Sequence, residues 1–415
     1  MEKVRLGIIG IGNMGSGHCA TILEGKVPEL ELAAVADLRE SRREWAKENL
    51  PECVHIFENG DDLIASGCCD AVLVATPHYD HPRLVMEAFD HGLHALCEKP
   101  AGVYTKQVRE MNEAASRSDK VFAMMFNQRT NPLYRKIKEM VSSGEIGELR
   151  HVNWVITSWY RPQKYYEQSA WRATWGGEGG GVLANQAPHQ IDLLQWICGM
   201  PSSVSAHLKY GSHRKITVED DVLATLEYPN GATGVFVTCT HDILGTDRFE
   251  IFGNKGKIVI ENSRKATIRI LRRPEEELNA TLTFDDVRAL VRGTGSGEKL
   301  YDETVLDIPD QWGVQHQQVL SNFTDAVLNG VPLIAPGQEG IKGLTLANAM
   351  YLVDTEKIVF GGGVSKAGEL LLQKVEKAYR SRVFAHSREK EFLLAKLGNA
   401  AGMRGAAALL LQKIR

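Results

Sequence analysis

The N-terminal segment carries the pattern that most restricts what this chain can fold into. An apolar stretch at residues 4–9 runs directly into a Gly-x-Gly-x-x-Gly turn at Gly10, Gly12 and Gly15, and a helical stretch and a second apolar stretch follow. In such a unit Gly10 allows the tight turn, Gly12 lets a pyrophosphate approach the backbone, and Gly15 lets the helix pack closely on the strand. Asp37 ends the second apolar stretch ~22 residues after Gly15, near the position of an acid that binds ribose hydroxyls. The pattern predicts a dinucleotide-binding βαβ unit, the alternative being a glycine turn in another βαβ unit.

Two further apolar stretches end in polar residues that could carry chemistry. Residues 70–75 are followed by Thr76, and residues 94–97 are followed by Glu98 and Lys99. Because ligands bind beyond the carboxyl ends of strands in an open parallel sheet, we expect these side chains at a ligand site. A lysine there can donate a hydrogen bond and stabilise a developing alkoxide. The alternative is a solvated surface lysine, which most lysines are.

A glycine-rich run at residues 176–181 leads into a helix that we expect to begin at Pro188. Proline suits the first helical position because the N–H that it lacks would have no partner there. His189 then lies in the first turn, where the positive end of the helix dipole disfavours the imidazolium and favours a neutral base. The alternative is a structural loop followed by a surface histidine.

Taken together, these motifs resemble those of the Gfo/Idh/MocA oxidoreductases. The resemblance covers roughly residues 1–365 and rests on three motifs in the family's order, namely the glycines at 10, 12 and 15, Glu98-Lys99-Pro100, and the glycine run followed by His189-x-x-Asp192. It implies an α/β fold, in which an N-terminal Rossmann domain with a doubly wound parallel sheet precedes an α/β domain with a large, mostly antiparallel sheet. It also implies a nicotinamide cofactor, a sugar or polyol substrate, and dimer contacts through the second sheet.

The resemblance further implies that Lys99 and His189 are the catalytic pair. Many members carry Asp four residues before the histidine, where this chain has Asn185. An amide cannot take a proton, so the role of general base falls on His189, while Asn185 can still donate to and accept from a sugar hydroxyl. The surrounding residues resemble the branch that oxidises glycosides or anhydrosugars, often at C3.

An aromatic and basic stretch precedes the glycine run between Trp159 and Trp175. We interpret it as a substrate-binding surface, the alternative being an aromatic packing region under a long loop. Trp312 and His316 are expected to extend this surface on a further side. The predicted substrate-binding residues are Asn185, Asp192, Tyr160, Arg161, Trp171 and Arg172. The predicted cofactor-binding residues are Gly10, Gly12, Asn13, Met14, Gly15, Asp37, Thr76, Pro77, His81, Glu98, Lys99 and Asn127.

The chain divides into three predicted segments. Residues 1–126 are expected to form the Rossmann domain, residues 127–365 a substrate-binding and oligomerisation domain, and residues 366–415 a helical extension. Within the second segment we predict strands between residues 149 and 271 and helices at 315–328 and 340–360. In the extension we predict a helix near residues 370–375 and another at 392–414. Residues 397–407 resemble the C-terminal helix of ROK-family sugar kinases without their catalytic parts, so we interpret the extension as a packing or oligomerisation element.

Composition and charge exclude several classes of partner. The net charge of −4 and the lack of a basic stripe argue against nucleic-acid binding, and no apolar run approaches membrane-spanning length. The chain enters a predicted core strand at once, so no secretion signal is expected. The 7 scattered cysteines are typical of reduced cytoplasmic thiols, and no Cys/His cluster has zinc-site spacing, so no metal is expected. We expect a cytoplasmic homo-oligomer, a dimer or tetramer.

The sequence therefore predicts an oxidoreductase that acts on a secondary hydroxyl of a sugar, glycoside or polyol, with C3 of a glycoside as a specific candidate. NAD is the expected cofactor, and NADP is less favoured because Asp37 would repel its 2′-phosphate. One alternative is an NAD-dependent glycosidase that oxidises C3 transiently and eliminates the aglycone. Another is a non-catalytic sensor of NAD and sugar, against which the presence of both Lys99 and His189 argues.

Overall fold

The computed structural model describes residues 3–292, 299–309, 313–351, 357–360, 368–380 and 391–394. Its first part is a parallel sheet of six strands in the order β3-β2-β1-β4-β5-β6. The strands are β1 (Val4–Ile9), β2 (Leu30–Ala36), β3 (His55–Phe57), β4 (Ala71–Val74), β5 (His94–Cys97) and β6 (Phe122–Met124). The helices between them are α1 (Asn13–Leu23), α2 (Glu40–Asn49), α3 (Gly60–Ala65), α4 (His81–Asp90) and α5 (Thr105–Arg117). This arrangement confirms the predicted Rossmann sheet.

The strand order of this sheet fixes where a ligand can bind. The central strands β1 and β4 are neighbours, and the chain order reverses on either side of them. Gly10 follows β1 and Thr76 lies shortly after β4, so both lie at the crevice formed where the order reverses. The central strands are mostly apolar because helices cover both faces of the sheet, and every residue of β4 is buried.

The second part is an eight-stranded sheet in the order β14-β13-β12-β11-β7-β10-β9-β8. The strands are β7 (Leu149–Ile156), β8 (Ser203–Tyr210), β9 (Glu219–Glu227), β10 (Thr233–Cys239), β11 (Asp247–Gly253), β12 (Gly256–Glu261), β13 (Lys265–Leu271) and β14 (Tyr301–Asp307). Neighbouring strands are antiparallel except for β7 and β10, which run parallel. The large, mostly antiparallel sheet is thus confirmed.

Three helices cover one face of this second sheet, namely α6 (Pro132–Ser142), α8 (Pro188–Cys198) and α12 (Gly340–Tyr351). The other helices of this part of the chain are α7 (Gln163–Tyr166), α9 (Glu275–Thr281), α10 (Phe284–Arg292) and α11 (Val314–Asn329). Inward side chains of the strands and of α6, α8 and α12 form one core, in which the rings of Trp154 and Phe249 stack at 4.1 Å. The alternation of buried and exposed residues along β9 reflects this one-sided burial.

Three details of the second segment differ from the predictions. The edge strand β14 and the helices α9 and α10 were not predicted, because nearly every residue of β14 is exposed and its sequence lacks an apolar face. Helix α12 ends at Tyr351, and residues 357–360 form a strand, so a helix to residue 360 is wrong. After the sheet the chain also returns to the first domain, where Phe323 of α11 packs with Leu6 and Ile8.

The described part of the extension consists of α13 (Gly368–Arg380) and β16 (Glu391–Leu394). Strand β16 pairs in parallel with β15 (Lys357–Phe360), which precedes the extension. The helix predicted near residues 370–375 is confirmed, whereas residues 391–394 are strand and the rest of the second predicted helix lies outside the described residues. Within the described ranges, no helix combines the length and apolarity needed to cross a bilayer.

Candidate active site

The glycine turn after β1 has the geometry that its pattern predicts. Gly10 has a φ of +91°, and a Cβ at this position would lie 2.7 Å from the carbonyl oxygen of Ala75. A Cβ on Gly15 would overlap the carbonyl oxygen of Gly10, so both positions require glycine for packing. At Gly12 the nearest atom to an added Cβ is a guanidinium nitrogen of Arg39, at 3.8 Å. The space before the N-terminus of α1 is therefore open, as a bound pyrophosphate requires.

Asp37 lies beside this turn at the end of β2. Its Oδ2 accepts a hydrogen bond from the backbone N–H of Ile11 at 3.1 Å, and its Oδ1 accepts from the N–H of Arg39 at 3.0 Å. The Arg39 guanidinium, which is largely exposed, approaches the same carboxylate at 3.2 Å. The predicted ribose-binding acid is thus held at the glycine turn.

Three predicted ligand residues carry buried polar atoms that lack a hydrogen-bond partner within the described part of the chain. They are the hydroxyl of Thr76, the amide oxygen of Asn127 and Nδ1 of His189. Buried polar atoms are nearly always paired in folded proteins, so an unpaired set on separate elements indicates groups that a ligand satisfies. Together with the open glycine turn, these atoms fit a bound dinucleotide and a hydroxyl-bearing substrate.

The segment after β5 brings a carboxylate and an ammonium to this crevice. Glu98 is buried, and its Oε1 lies 2.8 Å from Nε2 of His18 on α1. Burial alone would raise the pKa of Glu98, but the hydrogen bond and charge of His18, with the charge of Lys99, lower it to about 2. The Nζ of Lys99 donates to the carbonyl oxygen of Asn185 at 3.2 Å, and burial lowers the pKa of this ammonium. Lys99 thus links the first domain to the segment before α8.

His189 lies in the first turn of α8, which begins at Pro188 as predicted. Burial, together with the nearby charge of Lys99, lowers the pKa of His189 to about 3. The imidazole is therefore neutral at neutral pH, with Nδ1 unpaired. Its position beside the ammonium is the arrangement that the sequence motifs indicated.

A carboxylate in the glycine run orients Asn185. The side-chain amide of Asn185 donates to Oε1 of Glu178, so this residue does not act as a helix cap. Glu178 also accepts from the N–H of Ala173 at 2.7 Å and lies 3.6 Å from a guanidinium nitrogen of Arg172. Burial raises the pKa of Glu178. Because the amide nitrogen is engaged, the amide oxygen of Asn185 remains as an acceptor for a hydroxyl.

Arginines and aromatic rings continue the site beyond Glu178, and we call this group the aromatic–basic cluster. Its guanidinium carbons lie 4.6–5.6 Å from the centres of neighbouring rings, as in cation–π contacts. A phenol hydroxyl of the cluster accepts from Arg172 at 2.8 Å. The members of the cluster are Trp159, Tyr160, Arg161, Tyr165, Trp171 and Arg172. Trp312, predicted to extend this surface, lies outside the described residues, whereas His316 lies 3.4 Å from the Asn127 amide.

Two predicted ligand residues make their hydrogen-bond contacts to other parts of the protein. Asp192, predicted to bind substrate, is buried, and both of its oxygens accept hydrogen bonds from Arg129 at 2.8 and 2.6 Å. His81, predicted to bind the cofactor, is also buried, and its ring nitrogens lie 2.7 and 2.8 Å from the carbonyl oxygens of Pro100 and Thr76. The polar atoms of both side chains therefore face partners within the protein.

Three residues that shape the site were assigned no role from the sequence, namely His18, Glu178 and Glu219. Glu219 accepts hydrogen bonds from the N–H groups of Gly181 and Leu183 at 2.9 Å and from the Tyr351 hydroxyl at 2.8 Å. It therefore holds the glycine run in place from the neighbouring strand β9. The side-chain partners of His18 and Glu219 lie 80 and 132 residues away, so no local pattern marks these two residues. Glu178 contacts Arg172 and Asn185, which are close in the sequence, but no spacing rule pairs them.

A separate group of possible metal ligands lies where β8, β9 and β10 end. The ligand atoms of His213, Asp221 and His241 lie within 4.8 Å of one another. The Nζ of Lys209 forms an ion pair with Oδ2 of Asp221 at 3.1 Å. Sequence spacing gave no indication of this group.

Comparison with known proteins gives three family matches. A family described as "Oxidoreductase family, NAD-binding Rossmann fold" matches residues 4–126, and one described as "GFO/IDH/MocA C-terminal domain" matches residues 134–259. The ROK family matches residues 338–413, a much longer segment than the one on which the sequence resemblance rested. This third match begins within the second domain and includes α12 and the described elements of the extension.

Individual relatives are dehydrogenases of polyols and sugars. Myo-inositol 2-dehydrogenase of Thermotoga maritima is 27% identical over 64% of this chain and 77% of its own length. D-glucoside 3-dehydrogenase of Escherichia coli is 29% identical over 55% of this chain and 68% of its own.

Solved structures show the same fold. The WlbA dehydrogenase of Bordetella pertussis in complex with NADH and UDP-GlcNAcA matches with a TM-score of 0.68 and 24% identity, over 84% of this chain and 96% of that one. Levoglucosan dehydrogenase in complex with NADH and levoglucosan matches with a TM-score of 0.68 and 20% identity over the same shares. At these identities the likeness establishes the fold alone.

Proposed function

Because the chain belongs to the Gfo/Idh/MocA family of NAD-binding oxidoreductases, we propose that it oxidises one secondary hydroxyl of a sugar or glycoside with Lys99 and His189 as the catalytic pair. The observation that carries this proposal is the neutral imidazole of His189. Its buried Nδ1 lacks a partner among the described residues, and its pKa is lowered by burial and by the charge of Lys99. A hydroxyl placed there would meet an acceptor for its proton and a cation for its oxygen.

The chain's own residues hold this hydroxyl and remove its proton. NAD, bound at the glycine turn with Asp37 at its ribose, supplies the hydride acceptor. His189 takes the hydroxyl proton, and Lys99 stabilises the oxygen as it loses that proton. A base of low pKa suffices because the hydroxyl becomes a strong acid as carbonyl character develops. Asn185, oriented by Glu178, accepts from a second hydroxyl of the ring.

C3 of a glycoside is the position that we propose for oxidation. Support comes from the similarity to D-glucoside 3-dehydrogenase and from the amide at residue 185, which offers a neutral acceptor in place of an acid. A 3-keto product that accumulates together with NADH would agree with a dehydrogenase. Release of the aglycone without net NADH would instead indicate the glycosidase reaction.

The test is a panel of sugars, glycosides and polyols with the full chain and NAD, followed by NADH absorbance, with product structures determined by NMR. Lys99→Ala and His189→Ala should each lower kcat by ~10²–10⁴-fold, the usual effect of losing a positioned acid–base group. NAD affinity, measured by titration, should change little, since its predicted contacts lie mainly in the first domain. Lys106→Ala and His91→Ala, at exposed positions, are the matched controls. Near-normal turnover in either active-site variant would remove that residue from the mechanism.

A further inference from the structure

The aromatic–basic cluster contains a guanidinium that no carboxylate of the described residues neutralises. Arg161 has no Asp or Glu oxygen within 4.0 Å of its guanidinium among the residues that the structure describes. Its Nη1 donates to the carbonyl oxygen of Tyr160 at 2.9 Å, while its Nε is buried and has no hydrogen-bond partner in the same part of the chain. A partly buried guanidinium without an acceptor loses contacts with water and gains no hydrogen bonds in return, which costs free energy. A ligand that supplies an acceptor would offset this cost.

The rings beside Arg161 prepare it to bind an oxyanion. Its guanidinium carbon lies 5.1 Å from the ring centre of Tyr165 and 5.6 Å from that of Trp159. Stacking on ring faces restrains a guanidinium while leaving the N–H groups at its edge free, and this planar edge matches the two oxygens of a carboxylate or phosphate. The backbone oxygen of Arg161 is held by Nε of Arg214 at 2.7 Å, which restrains the main chain as well.

Arg161 is joined to the hydroxyl-binding end of the site by contacting side chains. Lys99 contacts Asn185, Asn185 contacts Glu178, and Glu178 lies beside Arg172. Arg172 in turn donates to the hydroxyl of Tyr165, whose ring lies beside Arg161. Arg161 therefore lies at the far end of the surface on which a sugar held by Lys99 would rest.

The charges along this surface do not balance. Glu98 is engaged by His18, and Glu178 is shared between Arg172 and Asn185. The pKa of Lys99 is lowered mainly by burial and raised by the charges of Glu98 and Glu178, and the charges of Arg161 and Arg172 also act on it and lower it. Three cations, Lys99, Arg161 and Arg172, thus stand against these two carboxylates. The surface therefore carries an excess of positive charge, which favours a negatively charged ligand.

We propose that Arg161 binds an anionic group, a carboxylate or a phosphate, on the sugar whose hydroxyl Lys99 and His189 hold. This inference rests on the proposed function and narrows its substrate class to sugars that carry an oxyanion, such as a uronic acid or a sugar phosphate. The hydroxyl of such a substrate reacts at one end of the site, while its charge is bound at the other end.

The experiment compares kcat/KM for matched pairs of charged and neutral sugars with the full chain and NAD. Methyl glucuronide is compared with methyl glucoside, and glucose 6-phosphate with glucose. We expect kcat/KM for at least one charged sugar to exceed that of its neutral partner by tenfold or more. The pair that shows this preference identifies whether the bound group is a carboxylate or a phosphate. Salt screens an ion pair. The preference for the charged sugar should therefore shrink as NaCl is raised from about 0.05 to about 0.5 M, a range over which the Debye length falls roughly threefold.

Variants of Arg161 assign the preference to this side chain. Arg161→Gln should lower the ratio of charged to neutral kcat/KM by tenfold or more, mainly through KM for the charged sugar. Arg161→Lys should retain part of the ratio, because lysine keeps the charge but not the planar pair of donors. Arg269→Gln, which removes an exposed arginine on β13, is the matched control and should leave the ratio unchanged. Thermal unfolding checks that the variants are folded.

Binding measurements separate failure of this inference from failure of the proposed function. If no sugar of either charge is oxidised, the proposed function fails, and the affinity of the NADH-loaded chain for glucuronate and glucose 6-phosphate then tests Arg161 directly by calorimetry. Tighter binding of a charged sugar that is lost in Arg161→Gln supports the inference. Equal preference for charged and neutral sugars, or a preference that survives in Arg161→Gln, overturns it.

Discussion

Replacement of Asp192 by Asn tests whether this residue stabilises the fold or binds substrate. The structure joins Asp192 to Arg129 through two hydrogen bonds, at 2.8 and 2.6 Å, with the Arg129 and Asp192 side chains only 0% and 2% exposed. Arg129 follows the last strand of the first domain, and Asp192 lies on α8 one turn after His189. The ion pair therefore fixes α8, which carries His189, to the segment that follows the first sheet.

The expected loss follows from the burial of both charges. Removing one partner of a buried ion pair typically costs about 3–5 kcal/mol, because the other charge is left uncompensated. Glu339 also contacts the Arg129 guanidinium and remains in the variant, so we expect the lower end, about 3 kcal/mol. Asp61→Asn is the matched control, since its ion pair with Arg83 is about half exposed on each side and should contribute under about 1 kcal/mol.

The assay combines urea unfolding, followed by far-UV circular dichroism, with steady-state kinetics at a temperature where both variants are folded. We expect Asp192→Asn to unfold at clearly lower urea than Asp61→Asn, and its KM for the sugar to stay within about threefold of the unaltered chain, since a group outside the site makes no binding contribution. Normal stability together with a KM raised tenfold or more would refute the structural role and restore Asp192 to the substrate site.

Two further predictions concern the cofactor and the response to pH. Asp37→Ala should raise KM for NAD and reduce the preference for NAD over NADP, because the acceptor for ribose hydroxyls and the repulsion of a 2′-phosphate are both lost; an unchanged ratio of kcat/KM for the two cofactors would contradict this. Burial raises the pKa of Glu219 from 4.5 to about 7, so the folded state binds this proton more tightly than the unfolded chain does. The free energy of unfolding should therefore fall by up to about 3 kcal/mol as pH rises from 4.5 to 7. Glu219→Gln should remove this pH-dependent component. Urea titrations of both proteins at pH 5 and 8 measure the difference in their free energies of unfolding, and a difference that is the same at both pH values would contradict the prediction.

The sequence by itself determined the elements whose cause is local. Gly15 is required by a contact with Gly10 within one strand–turn–helix unit, and the φ of +91° at Gly10 is a local property of that turn. Asp37 follows at a spacing fixed by the length of the unit. The start of α8 at Pro188 likewise depends on backbone chemistry at a single position. Alternating apolar residues were sufficient to predict most strands of the second sheet, since burial of one face imposes that period.

Only the tertiary structure decided which polar side chains face a ligand. Asp192 lies on the helix that carries His189, and Glu178 lies just before it. Asp192 forms an ion pair with Arg129, 63 residues away, whereas Glu178 accepts a hydrogen bond from the Asn185 side chain. The pairing of His18 with Glu98 spans 80 residues. A polar residue has the same identity whether its partner is a substrate, a distant side chain or a backbone carbonyl. The choice among these is made by packing between elements that are remote in the chain, and no local spacing encodes it.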